Sequence, residues 1–274
     1  MNIIIYKGGL GGQLFQYVAS QIFATHHNCS IFHNTACYNP IIQNFCGNTS
    51  RDFRLPVYCC NSKTGLALLL SAISLKSEPN IITSYDSLFT AKKSFNILFG
   101  CFQEQVAFQG ACSPIWEDIY LRLKLSSKCS TSKTNSHYSV ETTLNVHVSE
   151  GGYVDLESTY HSSGKYFFLN AIENMTSQNP CINNIVFFTD SPQWVISNLV
   201  VELSHVLDLK SYDLSISVSG ALDAFLELCT SHYMVISDSA FGLAAAHIAL
   251  INYPNRKLIR PSYWFAKQKS RLNY

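Results

Sequence analysis

The sequence predicts an α/β protein made of two units, each built around a parallel sheet. Short apolar segments with strand character alternate with longer segments of helical periodicity in both halves of the chain. Such alternation is typical of parallel strands joined by right-handed helical crossovers. A polar stretch at 125–139, rich in Ser, Thr and Lys, separates the two halves. We therefore predict an N-terminal unit over 1–130 and a C-terminal unit over 131–274.

The first predicted unit opens with a strand, a glycine turn and a helix. Residues 3–6 form a β-branched and aromatic run, and an apolar pattern at helical spacing follows from Leu14 to Phe23. Between them lie four glycines, which permit positive φ and close approach of a ligand to the backbone: Gly8, Gly9, Gly11 and Gly12. Backbone N–H groups at such a helix start favour anions. A tight turn without any ligand is the alternative interpretation.

Further strands and helices are predicted in chain order from the same patterns. In the first half we expect strands at 30–33 and 95–99 and a helix at 65–76. In the second half we expect strands at 144–148, 185–189 and 234–237, and helices at 165–174, 192–201, 222–229 and 241–250.

Composition excludes several classes of protein. The chain has 274 residues, of which 47% are hydrophobic and 14% charged, as expected for a packed globule. A net charge of +1 lacks the excess of positive charge that is typical of nucleic-acid-binding proteins. No apolar run reaches the roughly 18 residues of a membrane span, and the N-terminus lacks a signal-peptide pattern. We expect cytoplasmic residence with at most peripheral contact with the inner face of a membrane. Ten scattered cysteines without a Cys-x-x-Cys pair indicate free thiols rather than a metal site.

The segment from Gly8 to Tyr17 resembles the N-terminal signature of the α-1,2-fucosyltransferase family (glycosyltransferase family 11). Gly12 stands where that signature has Asn. Shorter stretches at 51–55, 100–103 and 261–265 resemble family motifs in the same order. The resemblance implies a GT-B fold, in which two Rossmann-like domains face each other across a cleft. It also implies an acceptor side in the first unit and a nucleotide-sugar side in the second.

The second half contains a divergent copy of the family's His-x-Arg-Arg-Gly-Asp-Tyr motif. His147 and Tyr153 match, but Ser149 and Glu150 replace the two arginines. In the family this segment holds GDP-fucose, and a guanidinium suits pyrophosphate because it donates two charge-assisted hydrogen bonds. The substitutions therefore predict weakened binding of GDP-fucose. Lys7 and Lys165 are candidates for a replacement cation.

Two other predicted strand ends resemble family motifs. Asp190, in Phe-Phe-Thr-Asp-Ser-Pro-Gln-Trp, could accept hydrogen bonds from a ribose or a base, or could belong to a helix cap with Ser191 and Pro192. Ile236–Gly242 follows an apolar strand and opens a helix, a place that suits phosphate. An ordinary cap formed by Ser239 or Asp238 is the alternative.

The resemblance implies an inverting transfer of L-fucose or a related deoxyhexose from a GDP-sugar to a glycan or lipid-linked oligosaccharide, in surface polysaccharide synthesis. It implies no metal or other cofactor. The catalytic candidates are His147, Glu150 and Asp190, with Asp155 as a further possible base. The donor-binding candidates are Gly9, Gly11, Gly12, Ser149, Tyr153, Asp190, Ser237, Asp238, Ser239 and Phe241. A catalytically impaired binding or assembly subunit, or a transferase for another nucleotide sugar, are the alternatives.

Overall fold

The computed structural model describes residues 2–35, 38, 55, 80–91, 95–103, 112–129, 139–149 and 164–261. The chain divides into two compact units, Met1–Ser130 and Thr131–Tyr274. Each unit contains one sheet in which every strand pairs in parallel with its neighbours. The α/β class and the parallel, Rossmann-like layout are therefore confirmed.

The first unit has a four-stranded sheet with helices between the strands. Its elements are β1 (Asn2–Ile5), α1 (Leu10–His26), β2 (Phe32–Asn34), β3 (Asn80–Ile82), α2 (Tyr85–Thr90), β4 (Asn96–Leu98) and α3 (Ser113–Cys129). The strand order is β2-β1-β4-β3, so β1 is an interior strand. This position explains why Ile3 and Ile4 are almost fully buried. Helix α1 packs against both α2 and α3, with Phe15 edge-on to the buried ring of Trp116.

Helix α3 corrects the position of the predicted linker. The helix continues through Cys129, so the first five residues of the stretch at 125–139 are helical. The Ser126 hydroxyl donates to the backbone oxygen of Leu123, a bond that keeps a serine within the helix. An exposed helix end needs no apolar pattern, and its polar composition therefore resembles that of a linker. The predicted helix at 65–76 lies outside the described residues.

The second unit has a five-stranded sheet in the order β7-β6-β5-β8-β9. Its elements are β5 (Thr143–Val148), α4 (Gly164–Gln178), β6 (Asn184–Thr189), α5 (Pro192–Val195), a π-helical turn (Ile196–Val200), α6 (Val201–Val206), β7 (Asp213–Ile216), α7 (Ala221–Thr230), β8 (Tyr233–Ile236), α8 (Ala240–Asn252) and β9 (Lys257–Ile259). Short 3-10 turns, Val140–Thr142 and Leu209–Ser211, precede β5 and β7.

The core of the second unit explains why β5 is central. Leu144, Val146 and Val148 of β5 are fully buried and pack with the apolar face of α4 and with β6. Helix α8 is apolar over most of its surface, and its residues from Gly242 to Ala246 are buried. A helix of this composition is stable only when other elements cover it. Within the described part of the chain, no helix combines the length and hydrophobicity that crossing a bilayer requires.

Candidate functional site

Three neighbouring strands of the second unit end at the same edge of its sheet. In the parallel register, Val148 of β5 pairs with Thr189 of β6, and His147 pairs with Ile236 of β8. Residues after these strands therefore lie side by side at the carboxyl edge, where ligands of open α/β sheets bind. The sheet brings together the predicted segments that begin at Ser149, Asp190 and Ser237.

His147 connects β5 to β8 and to the start of α8. Its side chain is only 6% exposed, and its Nδ1 lies 3.0 Å from the hydroxyl oxygen of Ser237. The Ser237 N–H donates to the His147 backbone oxygen at 2.9 Å. The imidazole stacks on Phe241 with 5.3 Å between ring centroids. His147 thus fixes the turn that leads from β8 into α8.

Burial keeps His147 neutral. Desolvation lowers the pKa of its imidazole to about 4, so at neutral pH the ring carries no charge. A neutral imidazole can bond Ser237 as donor or as acceptor, depending on its tautomer. These surroundings suit a positioning role. The predicted catalytic role of His147 stays a prediction.

Gly242 makes room for this histidine. A Cβ atom at position 242 would lie 2.8 Å from Nδ1 of His147 and 3.2 Å from Cβ of Ile236. The glycine lies in the first turn of α8, where it lets the helix approach the end of β5 closely. Sequence reasoning did not single out Gly242. A glycine within an otherwise apolar helix pattern is the signal that could have indicated it.

The N-terminus of α8 has a capping serine. The Ser239 hydroxyl accepts a hydrogen bond from the Gly242 N–H at 3.1 Å, and Ser239 and Ser237 are both buried. The capping alternative is therefore confirmed for Ser239. Asp238 and Phe241 are partly buried beside it. Capping and ligand binding are compatible. The first N–H groups of a helix have no partner within the helix, and the capping side chain pairs with only one of them.

Asp190 lies in an exposed turn between β6 and α5. The Thr189 hydroxyl accepts from the Ser191 N–H at 2.9 Å, and this bond fixes the turn. Ser191 occupies the N-cap position with Pro192 in the first helical turn, as the pattern predicted. Within the described residues, however, its side chain makes no capping hydrogen bond. The capping alternative is thus confirmed for the position of Ser191 and Pro192, without a side-chain bond from Ser191 itself.

The segment after β5 is described only as far as Ser149, which is partly buried. The predicted site residues Glu150 and Tyr153, and the further candidate Asp155, lie outside the described residues. Their predicted roles stay predictions.

In the first unit, positive φ occurs at the first of the four glycines of the turn. Gly8 has φ +80°, whereas Gly9 has φ −79° and is the N-cap of α1. Helix α1 begins at Leu10, so Gly11 and Gly12 belong to its first turn. The predicted requirement for positive φ therefore applies to Gly8 among the four glycines.

Two buried glutamines of α1 hold this turn in place. Gln13 donates to the Gly8 oxygen at 3.0 Å. Gln16 accepts from the Lys7 N–H at 3.0 Å and donates to the Gly100 oxygen at 3.1 Å. Both side chains are at most 1% exposed. Sequence reasoning missed these roles, although glutamine among apolar residues on a helix face is an available signal.

The segment at 100–103 has a packing explanation. A Cβ at Gly100 would lie 2.5 Å from the backbone oxygen of Thr83, so no larger residue fits without backbone movement. Phe102 is buried with φ +51°, and its ring meets Tyr85 edge-on. Close packing at the end of β4 therefore accounts for the glycine and the phenylalanine.

Both lysines proposed as replacement cations already contact other side chains. The Lys7 ammonium lies 4.4 Å from the centroid of the Phe99 ring. The Lys165 ammonium forms an ion pair with Glu202 at 2.8 Å. Glu202 therefore balances the charge of Lys165.

Comparison with solved structures identifies fucosyltransferases of the same fold. The structure of NodZ alpha-1,6-fucosyltransferase soaked with GDP-fucose matches with a TM-score of 0.50 and 14% identity over 93% of this chain and 97% of that one. POFUT1 in complex with GDP matches with a TM-score of 0.49 and 9% identity, over 94% and 98% of the two chains. A mutant of Arabidopsis thaliana FUT1 in complex with GDP has a TM-score of 0.47 and 10% identity, over 98% and 72%. No protein-family model and no curated protein matches this sequence.

Proposed function

We propose that the protein is a glycosyltransferase that uses GDP-fucose or a related GDP-deoxyhexose as donor. One observation carries the proposal: the parallel sheet of the second unit brings His147, Asp190 and the Ser237–Phe241 segment to one carboxyl edge. These are the segments that resemble donor-binding motifs of fucosyltransferases. The fold shared with NodZ, which was solved after soaking with GDP-fucose, supports the same donor class.

In the proposed reaction, an acceptor hydroxyl attacks the anomeric carbon of the donor sugar, with inversion, while GDP leaves. The negative charge that develops on the leaving phosphate needs preorganised donors. The N–H groups in the first turn of α8 suit that task. Glu150 and Asp190 are the candidates for the general base. His147 holds the β8–α8 turn in place, and we expect no metal.

The finer assignment follows the sequence resemblance. We propose an α-1,2 linkage and a glycan or lipid-linked oligosaccharide as acceptor, in surface polysaccharide synthesis. The first unit is the proposed acceptor side and the second unit the donor side.

A second candidate is a relative that binds donor without efficient transfer. Ser149 favours this alternative, because it offers one neutral hydroxyl where the family motif has a guanidinium. Such a protein would act as a binding or assembly subunit.

Isothermal titration calorimetry with GDP, GDP-fucose and UDP-sugars tests the proposal. We expect saturable binding of GDP and GDP-fucose and none of UDP-sugars. Slow hydrolysis of bound GDP-fucose to fucose and GDP would then distinguish the enzyme from a binding subunit. Preference for a UDP-sugar, or absence of nucleotide binding, would contradict the proposal.

A further inference from the structure

The carboxyl edge of the first sheet carries a lysine and a phenylalanine that contact each other. Ile4 of β1 pairs with Leu98 of β4, so Lys7 and Phe99 both follow neighbouring strands at this edge. The Lys7 ammonium lies 4.4 Å from the centroid of the Phe99 ring. Ligands of open α/β sheets bind at the carboxyl edge, and neither residue belongs to the donor segments of the second unit.

Hydrogen bonds fix the backbone on both sides of this contact. The Lys7 N–H donates to Oε1 of Gln16 at 3.0 Å, and Nε2 of Gln16 donates to the Gly100 oxygen at 3.1 Å. The Phe99 N–H donates to the Ile82 oxygen of β3 at 2.9 Å. One buried glutamine therefore links the two strand ends, and the fold itself sets the positions of Lys7 and Phe99.

The charge of Lys7 is held on an aromatic ring rather than on a carboxylate. Its side chain is partly buried. The ion pairs among the described residues are Arg122 with Asp118 and Lys165 with Glu202, so no carboxylate of that part of the chain pairs with Lys7. A cation–π contact leaves the charge of the ammonium in place. An anion that binds here therefore gains attraction without displacing one of these carboxylates.

Phe99 offers an apolar surface beside this charge. The residue is 40% exposed. A pyranose has C–H groups on one face of its ring, and these pack on the electron-rich face of an aromatic side chain. A sugar seated on Phe99 has its substituents close to the ammonium, because the two side chains are in contact. The pair therefore fits a sugar that carries a negative charge.

We propose that Lys7 and Phe99 form an acceptor subsite for an anionic sugar, whose ring packs on Phe99 and whose carboxylate or phosphate group pairs with Lys7. The inference rests on the proposed function, in which the first unit is the acceptor side, and it names the chemical class of the acceptor. It assigns Lys7 to the acceptor rather than to the pyrophosphate of the donor.

Three galactose derivatives test the subsite, because their rings are identical and only the group at C6 differs. The probes are methyl β-D-galactoside, methyl β-D-galacturonide and methyl β-D-galactoside 6-phosphate. The wild type should bind the anionic probes about tenfold more tightly than the neutral one, the value of one hydrogen bond to a charged group. Ligand-observed NMR titration measures the dissociation constants. A preference for only one anionic probe supports the subsite and identifies its anion as carboxylate or phosphate.

Variants of the two residues separate charge from stacking. Lys7→Gln should remove the preference for the anionic probes, and Lys7→Arg should retain it. Phe99→Leu should weaken binding of all three probes by roughly three- to tenfold, because leucine has no aromatic face. Lys124→Gln is the matched control, since the Lys124 ammonium lies 5.9 Å from the centroid of the Tyr120 ring on the exposed surface of α3. It should bind the probes like the wild type.

Thermal unfolding of each variant confirms that it is folded before binding is measured. Equal affinities of the wild type for neutral and anionic probes, or no binding of any probe by a wild type that binds GDP, overturn the inference and leave the proposed function intact. A loss of GDP affinity in Lys7→Gln with an unchanged preference among the sugars also overturns it, by assigning Lys7 to the donor. Binding of the anionic probes without binding of GDP overturns the proposed function and supports the subsite as a sugar site.

Discussion

At the scale of single residues, the contact between His147 and Gly242 shows how one site residue depends on the absence of another side chain. The imidazole occupies space that any Cβ at position 242 would enter. Ser237 then fixes the ring through its hydroxyl. The sequence predicted a role for His147 from its place at a strand end. It could not predict Gly242 as its partner, because the two residues are far apart in the chain.

We expect Gly242→Ala to lower the free energy of unfolding by about 1–3 kcal/mol, the usual cost of overpacking. The added Cβ would lie 2.8 Å from Nδ1 of the buried His147 and would force the ring to move. Gly220→Ala is the control, since a Cβ there meets nothing closer than the Asp223 carboxylate at 3.9 Å. Denaturant unfolding measures both variants. Equal stabilities of Gly242→Ala and Gly220→Ala would contradict the packing argument.

Gly8→Ala should destabilise the protein by about 1–2 kcal/mol, because an L-residue is strained at φ +80°. Gly12→Ala is the matched change in the same turn. A Cβ there meets the Lys7 oxygen at an ordinary 3.5 Å, and alanine favours the helix, so we expect no loss of stability. Chemical denaturation distinguishes the two. The motif predicted a strained glycine, but four candidates in five positions left its identity to the structure.

At the scale of elements, the predictions were best where a segment buries a long apolar face. Helices α1, α4, α7 and α8 and strands β5, β6 and β8 were all predicted close to their observed positions. Strands β3 and β9 have three residues each, too few to show a period. Helix α3 was missed although its buried residues Trp116, Ile119 and Leu123 recur at helical spacing. The exposed Leu121 and Leu125 place apolar residues on the opposite face as well, which obscures the amphipathic pattern.

The turn between β1 and α1 depends on Gln16 as much as on its glycines. We expect Gln16→Leu to lower the free energy of unfolding by about 2–4 kcal/mol. It leaves the Lys7 N–H and the Gly100 oxygen without their partner in a partly buried place, where each unpaired group costs up to roughly 1–3 kcal/mol. Gln21→Leu, on a partly exposed part of α1, is the control and should change little. Comparable losses in both variants would argue against a specific role for Gln16.

At the scale of the whole molecule, two buried histidines and a partly buried one make stability depend on pH. Burial lowers the pKa of His33, His147 and His247 to about 4, whereas an unfolded histidine titrates near 6.5. Between these values the unfolded chain binds more protons than the folded one, so stability falls as pH decreases from about 6.5 towards 4. Each histidine contributes a loss of about 2 kcal/mol at pH 5 by this linkage.

The measurement is the free energy of unfolding between pH 7.5 and pH 4.5, for the wild type and for His247→Gln. The wild type should show the acid-dependent loss, and the variant a shallower dependence, since one of the three groups no longer titrates. A free energy of unfolding that stays constant between pH 6.5 and pH 5 would contradict the conclusion that these histidines are neutral in the folded protein.

The last prediction concerns donor affinity and the charge of the segment that follows β5. Ser149 stands where the motif that it resembles has an arginine, and a hydroxyl offers one neutral hydrogen bond where a guanidinium offers two charge-assisted ones. Ser149→Arg should therefore tighten binding of GDP by about tenfold, the value of one hydrogen bond to a charged group, and leave binding of guanosine unchanged.

Calorimetric titration of GDP and of guanosine into the wild type and Ser149→Arg measures the effect. Ser149→Gln, which lengthens the side chain without adding charge, is the control and should bind GDP like the wild type. Equal GDP affinities of Ser149→Arg and the wild type would contradict the expectation that the donor site lacks positive charge.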